Sequence, residues 1–219
     1  MPALFPRWSN TVARGSLLAI VVIVCGVILG LMLWVRTSYA TGQHASIAQP
    51  VPFDHRIHAH ALQIDCRYCH ATVEQTASAG VPPTAACVGC HNSVWLQSAP
   101  FAPVRASLSS LRPIAWQRVN ALPDFVFFDH SIHVAKGVGC ETCHGRVDRM
   151  ARVEQAVPLS MGWCLSCHRN PTPNLRPRSE IVAMGWDAAH TSAADDSARV
   201  RLQHEYGVRS LTSCTTCHR

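Results

Sequence analysis

One pattern constrains this 219-residue chain more than any other. It recurs as Cys66-x-x-Cys69-His70, Cys87-x-x-Cys90-His91, Cys140-x-x-Cys143-His144, Cys164-x-x-Cys167-His168 and Cys214-x-x-Cys217-His218. Ten of the eleven cysteines fall in these pairs, and Cys25 is the exception. An odd total argues against a simple disulfide framework. Zinc knuckles use C-x-x-C in twos to complete four thiolates, so five knuckles leave one over. Zinc also has no need of a histidine after every pair. A thioredoxin-like dithiol is excluded because no strand–helix pattern surrounds the motifs.

C-x-x-C-H is the attachment motif of a c-type haem. Two thiols add across the two vinyl groups of one porphyrin. The two intervening residues set the sulfurs at vinyl-to-vinyl reach, and the next residue lies beneath the iron. Five motifs predict five covalently bound haem c groups with His70, His91, His144, His168 and His218 as proximal ligands. Composition agrees. Aromatic residues make up 7% and charged residues 15% of the chain, too little for an ordinary apolar core. Porphyrins would supply that core. The expected fold is a multihaem cytochrome c, mostly loops and short α-helices with little β structure.

Ser16 to Val35 carries no charge over twenty residues, long enough for one transmembrane helix. Arg7 and Arg14 precede it and Arg36 follows, which favours an N-terminus inside. The run exceeds a usual signal-peptide core. Cys25 lies mid-span after Val24, a poor match to a lipoprotein site. A retained signal-anchor is therefore expected in a bacterial inner (cytoplasmic) membrane, with the haem region on the periplasmic side.

The motifs fall into two similar units. Phe53-Asp54-His55-x-Ile57-His58 matches Phe128-Asp129-His130-x-Ile132-His133. The step from the Phe to the next motif Cys is 13 residues in the first and 12 in the second. This internal duplication divides the chain into a cytoplasmic N-terminus 1–15, a span 16–36 and a juxtamembrane linker 37–50. A dihaem unit 51–98, a linker 99–124, a second dihaem unit 125–175 and a fifth-haem segment 176–219 follow. Phe101 to Trp116 has helical spacing, and Pro171 to Pro177 reads as an extended crossing segment.

The recurrent pairs His55/His58 and His130/His133 are the main distal-ligand candidates, since residues three apart share a helix face. For the remaining iron the chain offers Met161, beside the Cys164 anchor, then Met150, Met184 and His60. His44, His190 and His204 complete the set. A thioether ligand would raise that haem's potential relative to bis-His.

Net charge is +6, from 18 Arg and the single Lys136 against 13 acidic residues. The Arg residues are scattered, which fits nucleic acid poorly. Five haems would bring about ten propionate charges, and guanidinium forks suit carboxylates.

The run FDHxIH…CxYCH…CxxCH, then LPDFVFFDHxxH…CxxCHGxV…PLxMGWCxxCHR and a terminal SCxTCHR, resembles the pentahaem cytochrome subunit (ActA) of alternative complex III, a bacterial quinol-oxidising respiratory complex. The resemblance covers about residues 50 to 219. The half-units are also similar to class III cytochromes of the c3/c7 type. That likeness implies that His55 serves the His70 haem and His130 the His144 haem, while His58 and His133 cap haems elsewhere. Where the family shows V-H-N-L-P-D, this chain has Val119-Asn120-Ala121-Leu122-Pro123-Asp124. If the missing His is a ligand, His60 is one replacement.

The resemblance implies a wire, with no catalytic residue of its own. The implied partners are an iron–sulfur subunit of the molybdopterin-oxidoreductase type, polytopic quinol-binding membrane subunits, and a monohaem cytochrome c or terminal oxidase. The alternative is a stand-alone membrane-anchored quinol dehydrogenase feeding periplasmic reductases. A pentahaem nitrite reductase is disfavoured. Its catalytic haem uses Lys in place of the proximal His, whereas all five motifs here end in His.

Overall fold

The structure is a computed structural model that describes residues 5–186 and 196–218. It divides into two compact units, residues 1–42 and 43–219. In the first, helix α1 (Ser9–Trp34) begins seven residues before the uncharged run, since nothing between Ser9 and Gly15 breaks a helix. No residue of α1 is buried, and by length and composition it can cross a membrane. A short turn, α2 (Ser38–Thr41), ends at Gly42 in the left-handed conformation.

The second unit contains short helices and loops. Among the described residues there are three isolated β-bridges and no strand. Its helices in chain order are α3 (Cys66–Cys69), α4 (Thr84–His91), α5 (Ala102–Ser110), α6 (His130–Ala135), α7 (Cys140–His144), α8 (Met161–Arg169), α9 (Asp196–Glu205) and α10 (Cys214–Cys217). The linker helix α5 buries Val104 and ties Ser107 to Thr84 of α4 at 2.6 Å. Pro171 to Pro177 is not extended throughout. A 3-10 turn at Thr172–Asn174 precedes Leu175, which is fully buried and bridges Val138.

Few apolar side chains are buried among the described residues: Val51, Val104, Leu175, Ile181, Ala198 and Tyr206. Meanwhile Tyr68, Trp95, Phe125 and Met161 are each more than half exposed. That surface faces solvent in the polypeptide alone, at a cost of about 25 cal/mol per Å² of apolar area.

The duplication is visible in the backbone, with one difference. In the second F-D-H-x-I-H repeat Lys136 N–H donates to Ile132, an α-helical step of four. In the first repeat Leu62 N–H donates to Ile57, a step of five, within a π-helical turn over Arg56–Ala61. The turn absorbs the extra residue between Phe53 and Cys66, as a π-bulge does. Register is then restored. Ile64 N–H meets His58 as Val138 N–H meets His133, both at 3.0 Å.

Candidate haem-binding site

Each Cys-x-x-Cys pair sits on one helical turn, so its thiols, three residues apart, share a face. Two of the turns carry a side-chain cap. Asp65 accepts from Arg67 N–H at 2.8 Å, and Ser160 Oγ accepts from Trp163 N–H at 3.3 Å. His70 and His218 follow through bonds from their own N–H to Cys66 and Cys214. No two of the eleven cysteines are joined as a disulfide.

The F-D-H-x-I-H segment explains itself residue by residue. Phe53 meets His55 edge-on at 4.8 Å and stacks on His58 at 4.2 Å. Phe128 repeats this with His130 at 4.7 Å and His133 at 4.6 Å. The Asp has two tasks. Asp129 Oδ1 caps α6 through Ser131 N–H at 2.8 Å, and its main-chain oxygen accepts from His133 Nδ1 at 2.7 Å. Asp54 likewise accepts from Arg56 N–H, and its carbonyl from His58 Nδ1, both at 2.9 Å.

The ring nitrogens show what these histidines can hold. His70 Nδ1 donates to Gly80 at 2.8 Å, His168 Nδ1 to Leu211 at 3.0 Å, His218 Nδ1 to Phe125 at 2.9 Å and His130 Nδ1 to Ala77 at 2.7 Å. All four acceptors are main-chain carbonyls, as they are for His58 and His133. A carbonyl accepts only, so the proton is fixed on Nδ1 and the lone pair on Nε2. That is the tautomer of a metal-ligating histidine with its supporting hydrogen bond. Nδ1 of His55 and of His91 is buried without such a partner.

Three ring pairs face each other: His58–His91 at 6.1 Å, His130–His144 at 6.3 Å and His133–His168 at 6.1 Å between centroids. Two metal–nitrogen bonds of about 2 Å each, plus the half-widths of two rings, fill that distance. The donor set therefore fits an iron between two imidazoles. His55 lies beside His70. Burial first, then the neighbouring His70, lowers the pKa of His55 to about 4. His144 is likewise lowered to about 4 by burial, with His130 and His70 adding.

The anchors also have an order in space. Burial pushes the Cys69 thiol up, and Cys87 and Cys90 of the second motif contribute. Cys66 adjoins Cys140 of the third, and the two thiols shift each other's pKa in opposite directions. Cys143 is pushed up to about 11 by burial, with Cys167 and Cys164 adding. Cys164, raised chiefly by burial, has Cys217 of the fifth motif as neighbour. The motifs thus adjoin in the order second, first, third, fourth, fifth.

The weaker candidates are placed as follows. Met161 is 71% exposed, and Met150 lies near Gly145. Met184 is half-buried, and His204 is exposed on α9. His60 falls in the π turn, outside the duplicated pattern, with Nδ1 3.5 Å from the buried Asp148. His44 pairs with Glu154 at 3.1 Å. His190 lies outside the described residues. Arg56, Arg67 and Arg146 are engaged by carboxylates of the chain itself.

The loop 72–80 was not singled out in the sequence. Its carbonyls hold both His70 and His130, joining the two F-D-H-x-I-H repeats. Gly80, at φ +73°, was its one signal. A Cβ there would stand 2.8 Å from Thr72 Oγ1.

Residues 126–219 match the family model of cytochrome c7 and related cytochrome c. The fold is that of a multihaem cytochrome c. The match implies covalently bound haem c. A relative is the menaquinone reductase multihaem cytochrome c subunit of Nitratidesulfovibrio vulgaris, 36% identical over 99 residues. That alignment covers 44% of this chain and spans less than half, 45%, of the relative.

Proposed function

We propose that this chain is a membrane-anchored five-haem cytochrome c, the electron-transfer subunit of a quinol-oxidising respiratory complex of the alternative complex III kind. The carrying observation is the set of facing imidazole pairs above C-x-x-C-H turns. His55 and His70 hold the first iron, His58 and His91 the second, His130 and His144 the third, His133 and His168 the fourth. His218 holds the fifth, with Met161, Met150, Met184 and His60 as the distal candidates. Bound haem c supplies one-electron transfer, and the chain's task is to space the groups, tune them and exclude water. The spatial order of the anchors is the order of the wire. Residues 51–98 and 125–175 act as dihaem units, with the haem region outside the cytoplasm.

The relative's name favours a second reading, in which electrons reach a menaquinone through the same wire. Both readings make the chain a complex subunit with partners. These are an iron–sulfur subunit of the molybdopterin-oxidoreductase type, polytopic quinone-binding subunits, and a cytochrome c or terminal oxidase.

The test is a native gel of mildly solubilised membranes, stained for haem-linked peroxidase and resolved in a second dimension. Migration with an iron–sulfur protein and several hydrophobic subunits is expected. Adding quinol should reduce the haems under the first reading, and reduced haem should be oxidised by menaquinone under the second. Migration as a small species of about 24 kDa, near this chain's own mass, would sink both and leave the stand-alone quinol dehydrogenase.

A further inference from the structure

His144 differs from the other anchor histidines in what meets its Nδ1. His70, His168 and His218 use main-chain carbonyls. His144 Nδ1 lies 3.2 Å from the side-chain amide of Asn120, in the linker between the two units. As placed, Nδ2 faces the ring, which would put the imidazole proton on Nε2. Meanwhile the amide oxygen is buried and meets no partner. The two ends of an amide have the same shape, so the hydrogen-bond network decides between them. A His144 that offers an Nε2 lone pair toward His130 carries its proton on Nδ1, and of the two amide ends only Oδ1 accepts it.

We infer that Asn120 accepts the Nδ1–H bond of His144 through its amide oxygen, and so sets the orientation and basicity of that ligand. Asn120 is a positioning residue: it acts through His144, the group its amide meets. The inference rests on the ligand role of His144 proposed above. It also gives a use to the position where the chain departs from V-H-N-L-P-D. The other observed acceptors of anchor histidines are backbone, which substitution cannot remove. Here a side chain does the work, so one haem of the five becomes separately tunable. A stronger acceptor makes imidazole a better donor, which stabilises the ferric state and lowers the potential.

The test uses the full-length holoprotein in detergent, with Asn120→Asp, Asn120→Leu and the conservative Asn120→Gln. Each is titrated potentiometrically by optical and EPR spectra. Mass spectrometry of the peptide bearing Cys140 and Cys143 reports its haem. One midpoint should fall in Asn120→Asp and rise in Asn120→Leu, while the other midpoints stay in place and Asn120→Gln lies nearest wild type. If the Leu variant fails to assemble, the downward shift in Asn120→Asp decides. Haem present on the peptide with no midpoint moved in any variant would overturn the role of Asn120 and leave the ligand reading standing. A wild-type peptide without haem would instead overturn the ligand reading, and the inference with it.

Discussion

The imidazole rings of His130 and His144 face each other at 6.3 Å with planes 7° from parallel. The other two facing pairs are crossed, at 54° for His58–His91 and 62° for His133–His168. Parallel axial rings split the iron d orbitals more strongly than crossed rings, so the rhombic low-spin EPR signal of the parallel pair should stand apart from those of the two crossed pairs. His130→Met should remove that signal and raise one midpoint potential, because a thioether replaces an imidazole. Loss of a crossed-ring signal instead would show that His130 serves another iron.

Gln63 and Gly137 occupy equivalent places after the two His turns, at φ +52° and +77°. Gln63 is exposed, so its side chain adds left-handed strain and little packing. Gln63→Gly should stabilise the protein by about 1 kcal/mol. Gly137→Ala should do the opposite and cost more, since its Cβ would lie 2.7 Å from both the Arg176 carbonyl and the Tyr206 ring. Denaturant midpoints of the two holoproteins check the pair. Equal effects would mean that the positions are not equivalent.

Asp129 caps α6 through Ser131 N–H and Ser131 Oγ, at 2.8 and 2.7 Å. Asp129→Ala should lower the denaturant midpoint, as loss of an N-cap does. The His133 bond is made by the main-chain oxygen of the same residue, so the low-spin spectrum should survive. Conversion of any haem to high spin in this variant would show that the carboxylate itself holds a ligand in place.

Much of this site is legible in the sequence because its chemistry is local. Two thiols and a histidine on one turn, or a Phe, an Asp and two histidines in six residues, bring their own geometry. The 13-against-12 spacing was visible too, but its outcome, a π turn carrying His60, depends on which hydrogen bond stretches. The acceptors of Nδ1 were not legible. Gly80, Ala77, Leu211 and Phe125 serve through main-chain oxygens, which every residue has, so no side-chain pattern marks them. Asn120 stood out as a departure from a motif, while its role needed the position of His144.

Acid should act on this protein through its buried imidazoles. His55 and His144 have pKa values lowered from 6.5 to about 4, chiefly by burial, with the nearby His70 and His130 respectively adding to it. Both values lie below the unfolded one, so between them the unfolded chain binds the extra protons. The stability these neutral rings contribute is present in full above pH 6.5 and is lost as pH falls through about 4. Iron at Nε2 would hold the rings neutral further into acid, because a ligating imidazole must be deprotonated there. The melting temperature of the holoprotein should therefore begin to fall below pH 6.5, while the low-spin haem absorption persists to below about pH 4. Loss of the low-spin absorption near pH 6.5 would show that the ligand histidines titrate as exposed groups, against their burial here.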